Sequence, residues 1–186
     1  ILYELGIINK SKDFIFKAKE SDLKISVHDS WITMNFPVYS IYNTSIPENL
    51  KQVLGINASE LYKSDNNWYV VLINSEKELK NAAPNFEKLR YGRYGTLIAV
   101  TAKSDNPDYD FVVRVFCDPE SGITEDPVTG AANCILVPFW HMKTNLTKFK
   151  SKQLSTRTGE IITELKGDKV NIKGQAKTVM AIDLNE

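Results

Sequence analysis

Hydrophobic positions along the chain change period several times, and each change marks an element. Phe14 and Phe16 open a β region in which Leu23, Ile25 and Val27 alternate with polar residues, and Ile32, Met34 and Phe36 repeat the pattern after His28-Asp29-Ser30. A period of two on either side of a polar turn predicts an antiparallel hairpin with one buried face. Pro37 to Thr44 reads as irregular. Ser45-Ile46-Pro47-Glu48 has the spacing of a capping box, and Leu50, Val53 and Leu54 then share a helical face that Gly55 ends. Trp68 to Ile73 reads as a buried strand, Ser75 to Leu79 as a short capped helix, and Gly95 to Ala102 and Tyr109 to Phe116 as further strands. Asp118 to Val128 is a loop rich in Pro, Gly and acids, and Gly130 to Met142 is apolar and helix-like, with Pro138 expected to interrupt its later half. Short strands follow from Lys148, with Ile161 to Leu165 and Val170 to Ile172 around the turn Lys166-Gly167-Asp168-Lys169, and Thr178 to Leu184 last. The mixed order of elements is α+β. Ile1 to Gly6 reads as the uncapped end of a helix, so a piece is expected upstream.

Composition narrows the partners. The 186 residues are enough for a substantial core. The 23 Lys plus Arg balance 23 Asp plus Glu without a dense basic cluster, which removes the footprint of a nucleic-acid or anionic-membrane binder. The longest apolar runs, Cys134 to Trp140 and Val70 to Ile73, fall far short of the roughly 20 residues that span a bilayer. A cytoplasmic protein is expected. Cys117 and Cys134 form no CxxC pair and lie in apolar surroundings, which predicts buried free thiols. No HExxH and no carboxylate and histidine cluster occurs, so neither metal nor cofactor is expected. Arg90 to Gly95 lacks phosphate-loop spacing and reads as a turn entering a strand, and the scattered aromatics read as core packing.

One segment has a different texture. Gly122-Ile123-Thr124-Glu125-Asp126-Pro127-Val128-Thr129-Gly130-Ala131-Ala132 is a strand-to-helix junction with adjacent carboxylates, a proline, and then minimal side chains. Such a helix start leaves its first N–H groups open, and with the positive end of the helix dipole they favour an anion, most naturally a substrate carboxylate. Ordinary roles compete with this: Asp126 as an N-cap, Pro127 as the first helical residue, Gly130 as a packing site.

Tyr109-Asp110-Phe111-Val112-Val113-Arg114-Val115-Phe116 followed by Glu125-Asp126-Pro127-Val128-Thr129-Gly130 resembles the signature of the PhzF-like family, the phenazine-biosynthesis isomerase and its relatives. The resemblance extends to Asn35-Phe36-Pro37, Thr101-Ala102, Pro138-Phe139-Trp140 and Gln153-Leu154-Ser155-Thr156-Arg157-Thr158-Gly159. It implies a diaminopimelate-epimerase-like architecture, in which each lobe is a curved sheet wrapped around a central helix and the site lies between two lobes. Residues 1–38 would be the remnant of the first lobe, with a helix stub and the hairpin. Residues 39–186 would be the second lobe, with central helix 130–142 and a last strand that returns to the first.

The resemblance further implies an isomerase or epimerase that moves a proton on a small carboxylate-bearing substrate without a cofactor, as a homodimer. Asp126 would be the second-lobe acid, and Thr129, Gly130 and Ala131 the substrate-binding helix start. The family's Ser-Glu-Thr and Gly-His-Ala/Pro-Thr motifs do not occur in this sequence, Ala131 stands where the family generally has Ser, and Thr158 where it usually has Gly. The chain is therefore expected to be inactive or incomplete alone. The alternative is a non-catalytic module that keeps the fold to bind small anions or another protein.

Overall fold

The computed structural model describes residues 2, 4–7, 13–17, 22–92 and 94–182. The hairpin forms in the expected register: β2 (Asp22–His28) and β3 (Trp31–Pro37) pair Ile25 with Met34 and Val27 with Ile32, and β1 (Phe14–Lys17) adds to the outer edge of β2. Asp29 turns the chain with φ 53°, a left-handed conformation that a short polar side chain tolerates.

Several expectations are corrected between Pro37 and Gly95. Ile41–Thr44 is a strand, β4, paired antiparallel with β5 (Glu60–Ser64). The capping box does not form: α1 (Leu50–Leu54) starts later, with Asn49 as its N-cap residue, and the Asn49 side chain accepts from the Tyr94 hydroxyl at 2.5 Å instead of capping. The next helix, α2 (Glu76–Lys80), is as expected, with the Ser75 hydroxyl accepting from the Glu78 N–H. Part of the segment read as a turn is the end of α3 (Phe86–Gly92), which precedes β7 (Leu97–Lys103).

The remaining elements are β6 (Trp68–Leu72), β8 (Phe111–Cys117), β9 (Glu125–Asp126), α4 (Asn133–Thr144), β10 (Lys148–Gln153), β11 (Gly159–Lys166) and β12 (Lys169–Gly174). Residues 175–182, where a last strand was expected, carry no regular structure, and 183–184 lie outside the described residues. Of the expected N-terminal helix end, Glu4 to Gly6 form a turn, and residues 1 and 3 are outside the described set.

The strands form one sheet in the order β1-β2-β3-β12-β11-β10-β8-β7-β6-β5-β4, with β9 also on β8. Residues 22–37 therefore share a continuous ladder with the later strands, through β3 on β12. Between β3 and β4 the chain has only residues 38–40, so the end of β3 and the start of β4 are at most about 14 Å apart. With its two sides brought together, the sheet curls around α4, which touches β4, β6, β11 and β12. On this inner face Phe111, Val113, Val115, Phe149, Ile161 and Val170 meet Ile135, Leu136 and Phe139 of α4. The outer face of β5 to β8 packs Val71, Ile98, Val100, Val112 and Phe116 against α1, α2 and α3.

Pro138 does not interrupt α4, which runs on to Thr144. A proline withholds the N–H that would bond the carbonyl four residues earlier. That carbonyl belongs to Cys134, and it accepts from the Tyr39 N–H at 3.0 Å, so the helix's vacant acceptor ties down the 38–40 connection.

Candidate active site

The site grows out of a change of partner along β8. Its first half pairs with β10, ending at Val113 opposite Gln153, and its second half pairs with β9, where Val115 faces Asp126. Gln153 and Asp126 are thus neighbours along one side of the same strand. Gln153 is 2% exposed and uses its whole amide. Its Oε1 accepts from the Thr129 N–H at 2.8 Å, while its Nε2 donates to the Asp126 carbonyl at 2.5 Å and to the Thr129 hydroxyl at 3.1 Å. The Thr129 hydroxyl in turn donates to Asp126 Oδ2 at 2.6 Å. One carboxylate oxygen of Asp126 is therefore held, in a half-buried position.

The ordinary roles considered for this loop do not apply. Asp126 is not a helix cap: α4 starts at Asn133 and its N-cap residue is Ala132. Gly130 is not a packing site, because a Cβ there would meet nothing within 4 Å. Of the amides expected to be open, Thr129's is closed by Gln153. Those of Gly130, Ala131 and Ala132 have no hydrogen-bond partner among the described residues. Thr129 and Ala132 are buried, whereas Gly130 and Ala131 are partly exposed.

The hairpin loop between β10 and β11 buttresses this segment. The Ser155 hydroxyl donates to the Pro127 carbonyl at 2.7 Å. Gly159 lies so close to Val128 that a Cβ would sit 2.3 Å from a Val128 methyl. Gln153, Ser155 and Gly159 belong to the stretch that the sequence singles out, but their task could not be read there, since it depends on which loop they meet.

The two adjacent carboxylates part company. Strand geometry sends Glu125 to the other side, where both oxygens pair with Arg114 at 2.8 Å, and Arg114 also donates to the carbonyls of Leu79 and Ala82. Glu125 is a structural partner. Cys117 is near Asp126, and burial together with the Asp126 charge pushes its thiol up. Cys134 is buried in α4, and its thiol is pushed up to about 12 by that burial. Both cysteines are free, with Cys117 half-buried. Tyr94 lines a cleft of about 230 Å³ with Asn49, Leu50 and Tyr69 on the outer face of the sheet, without any of the Asp126 group. Among the described residues no cluster of three or more His, Cys, Asp or Glu could hold a metal, and no helix is long and apolar enough to cross a membrane.

A curved sheet closed around one helix, with an Asp-Pro-Val-Thr-Gly loop at the helix start, defines a diaminopimelate-epimerase-like α+β scaffold. The chain belongs to the phenazine biosynthesis-like (PhzC-PhzF) family, whose model matches residues 15–182. An uncharacterized isomerase of Halalkalibacterium halodurans is 36% identical over 99% of this chain and 69% of its own length. An uncharacterized isomerase of Pseudomonas aeruginosa is 32% identical over 89% of this chain and 62% of its own. The crystal structure of a phenazine biosynthesis protein of the PhzF family from Enterococcus faecalis superposes with a TM-score of 0.87 at 26% identity, covering 96% of this chain and 67% of that one. The chain thus spans between three fifths and seven tenths of the length of these relatives. The expected fold is the one observed, and the family is one of isomerases.

Proposed function

We propose that this chain supplies the second-lobe wall of an isomerase or epimerase site that moves a proton, without a cofactor, on a small carboxylate-bearing substrate. Residues 1–38 are in this reading the remnant of the first lobe and residues 39–186 the second, with a homodimeric cytoplasmic protein as the working form. Exposed Ile15 and Phe16 on the edge strand β1 favour association. The observation that carries the reading is the pairing, within one short loop, of a carboxylate held by one oxygen with open amides at a helix start. Proton transfer next to a carboxylate needs a positioned acid or base and fixed donors where negative charge gathers. Asp126 meets the first need, and Gly130 and Ala131 meet the second, with Thr129 holding Asp126. The other catalytic group would come from the first lobe, so the 186-residue chain alone is proposed to bind substrate and not to turn it over.

Two measurements test this. Titrating acetate into the isotope-labelled chain should move the amide signals of Gly130 and Ala131 most; largest shifts at Tyr94 and Gly95 would place the site wrongly. In a relative with both lobes, replacing the residue matching Asp126 by Asn should leave the melting temperature within a few degrees and remove most solvent-deuterium incorporation into substrate. Unchanged incorporation would show that Asp126 is structural, and would favour the anion-binding module.

A further inference from the structure

Asn133 is 2% exposed, yet its side-chain Oδ1 is buried without a hydrogen-bond partner among the described residues. Nδ2 donates to the carbonyls of Thr129 and Gly130, each at 3.2 Å, and the Asn133 N–H bonds the Gly130 carbonyl again at 3.0 Å. Facing two carbonyl oxygens, this amide has only one workable orientation, and in it Oδ1 stays stranded. A buried acceptor without a partner costs stability. The group therefore has a use to account for.

In a trans peptide unit the C=O and the following N–H point in opposite directions. By drawing the Thr129 and Gly130 carbonyls toward itself, Asn133 turns the N–H groups of Gly130 and Ala131 away from the buried side. Gly130, with no side chain to hinder rotation, is where this short segment would otherwise relax. We propose that Asn133 is the positioning residue of the anion seat, kept at a cost in stability because it fixes which way the two amides face. This rests on the reading of Gly130 and Ala131 as that seat.

The experiment is an acetate and sulfate titration of the full chain, followed at the amides of Gly130 and Ala131, beside thermal melts. Asn133→Leu removes the stranded Oδ1 but also the Nδ2 bond to the buried Thr129 carbonyl, so it should melt near the wild-type temperature and lose affinity at least tenfold. Asn133→Asp, which keeps the volume but lacks the donor, should lose affinity as well, and keeps the test decisive if the leucine variant does not fold. Asn133→His, whose Nδ1–H can donate from nearly the same place, should recover most of the binding. Affinity within twofold of wild type in both Asn133→Leu and Asn133→Asp would overturn the positioning role while leaving the seat in place. Absence of any shift in the wild type would overturn the seat itself, and the role with it.

Discussion

Thr158 shows how one position can carry strain next to a site. It has φ 51°, in the left-handed region where a β-branched residue is disfavoured by roughly 1–2 kcal/mol, and its N–H is held by the Ser155 carbonyl and hydroxyl, both at 3.1 Å. A glycine, which the resemblance leads one to expect at this position, would adopt that angle freely. Thr158→Gly removes the strain but frees the unfolded chain by about 0.5–1 kcal/mol. We therefore expect a net gain of about 0.5 kcal/mol, seen as a higher urea midpoint at unchanged slope. A lower midpoint would mean that the threonine methyl packs in a way the strain argument ignores.

At the scale of elements, α4 is fastened to the sheet by its ends as well as by its core face. Near its C-terminus Lys143 bonds both Glu60 oxygens at 2.6 Å, across to β5. The Lys143 hydrogen bond is the main reason the Glu60 carboxyl lies below its usual range, outweighing the opposing effect of burial. A carboxyl depressed in the folded state contributes stability above its unfolded value, near 4.3, and loses it as the pH falls through the lower folded value. Both side chains are about 30% exposed, so the contribution is capped near 1 kcal/mol. Lys143→Met should accordingly cost about 0.5–1 kcal/mol at pH 7, with the gap to wild type closing below pH ~4. Urea melts at pH 7, 5 and 3 check this; a gap independent of pH would assign the effect to the lysine's contact with the Tyr62 and Phe139 rings, each 5.7 Å away.

The whole molecule has two hydrophobic layers and one set of strands between them. Successive residues of β8, such as Val112 and Val113, face opposite layers, so the same strands carry both layers and are expected to couple them. Phe111 ties several elements together: fully buried, it stacks on Trp140 at 5.2 Å, and Trp140 in turn donates to the Thr101 hydroxyl on β7 at 3.1 Å. Phe111→Ala should cost about 3–5 kcal/mol and lower the tryptophan fluorescence and far-ultraviolet dichroism transitions together. Separated transitions would mean that the layers are independent.

Local chemistry was legible in the sequence wherever neighbours in the chain decide the outcome. The β2–β3 hairpin follows from its alternation, α2 from Ser75, and the distinct character of the loop from Asp126 to Ala131 from its crowding of acids, proline and small residues. Tertiary structure alone decided what those residues do. Glu125 and Asp126 are equivalent in sequence, and the pleat of β9 made one a partner of Arg114 and the other a half-buried member of a hydrogen-bonded loop. The capping box at Ser45 did not form, and the Asn49 side chain that could have capped α1 was taken by Tyr94, 45 residues later; Pro138 broke no helix because Tyr39, 99 residues earlier, filled the acceptor it left vacant. Of the two amides that hold the loop, Asn133 gave no local signal, and Gln153 stood in a stretch the sequence singles out without its task being readable there. Their partners lie across a helix turn and across a strand, and a hydrogen bond between distant segments is specified by the register of the sheet, which no short stretch of residues contains.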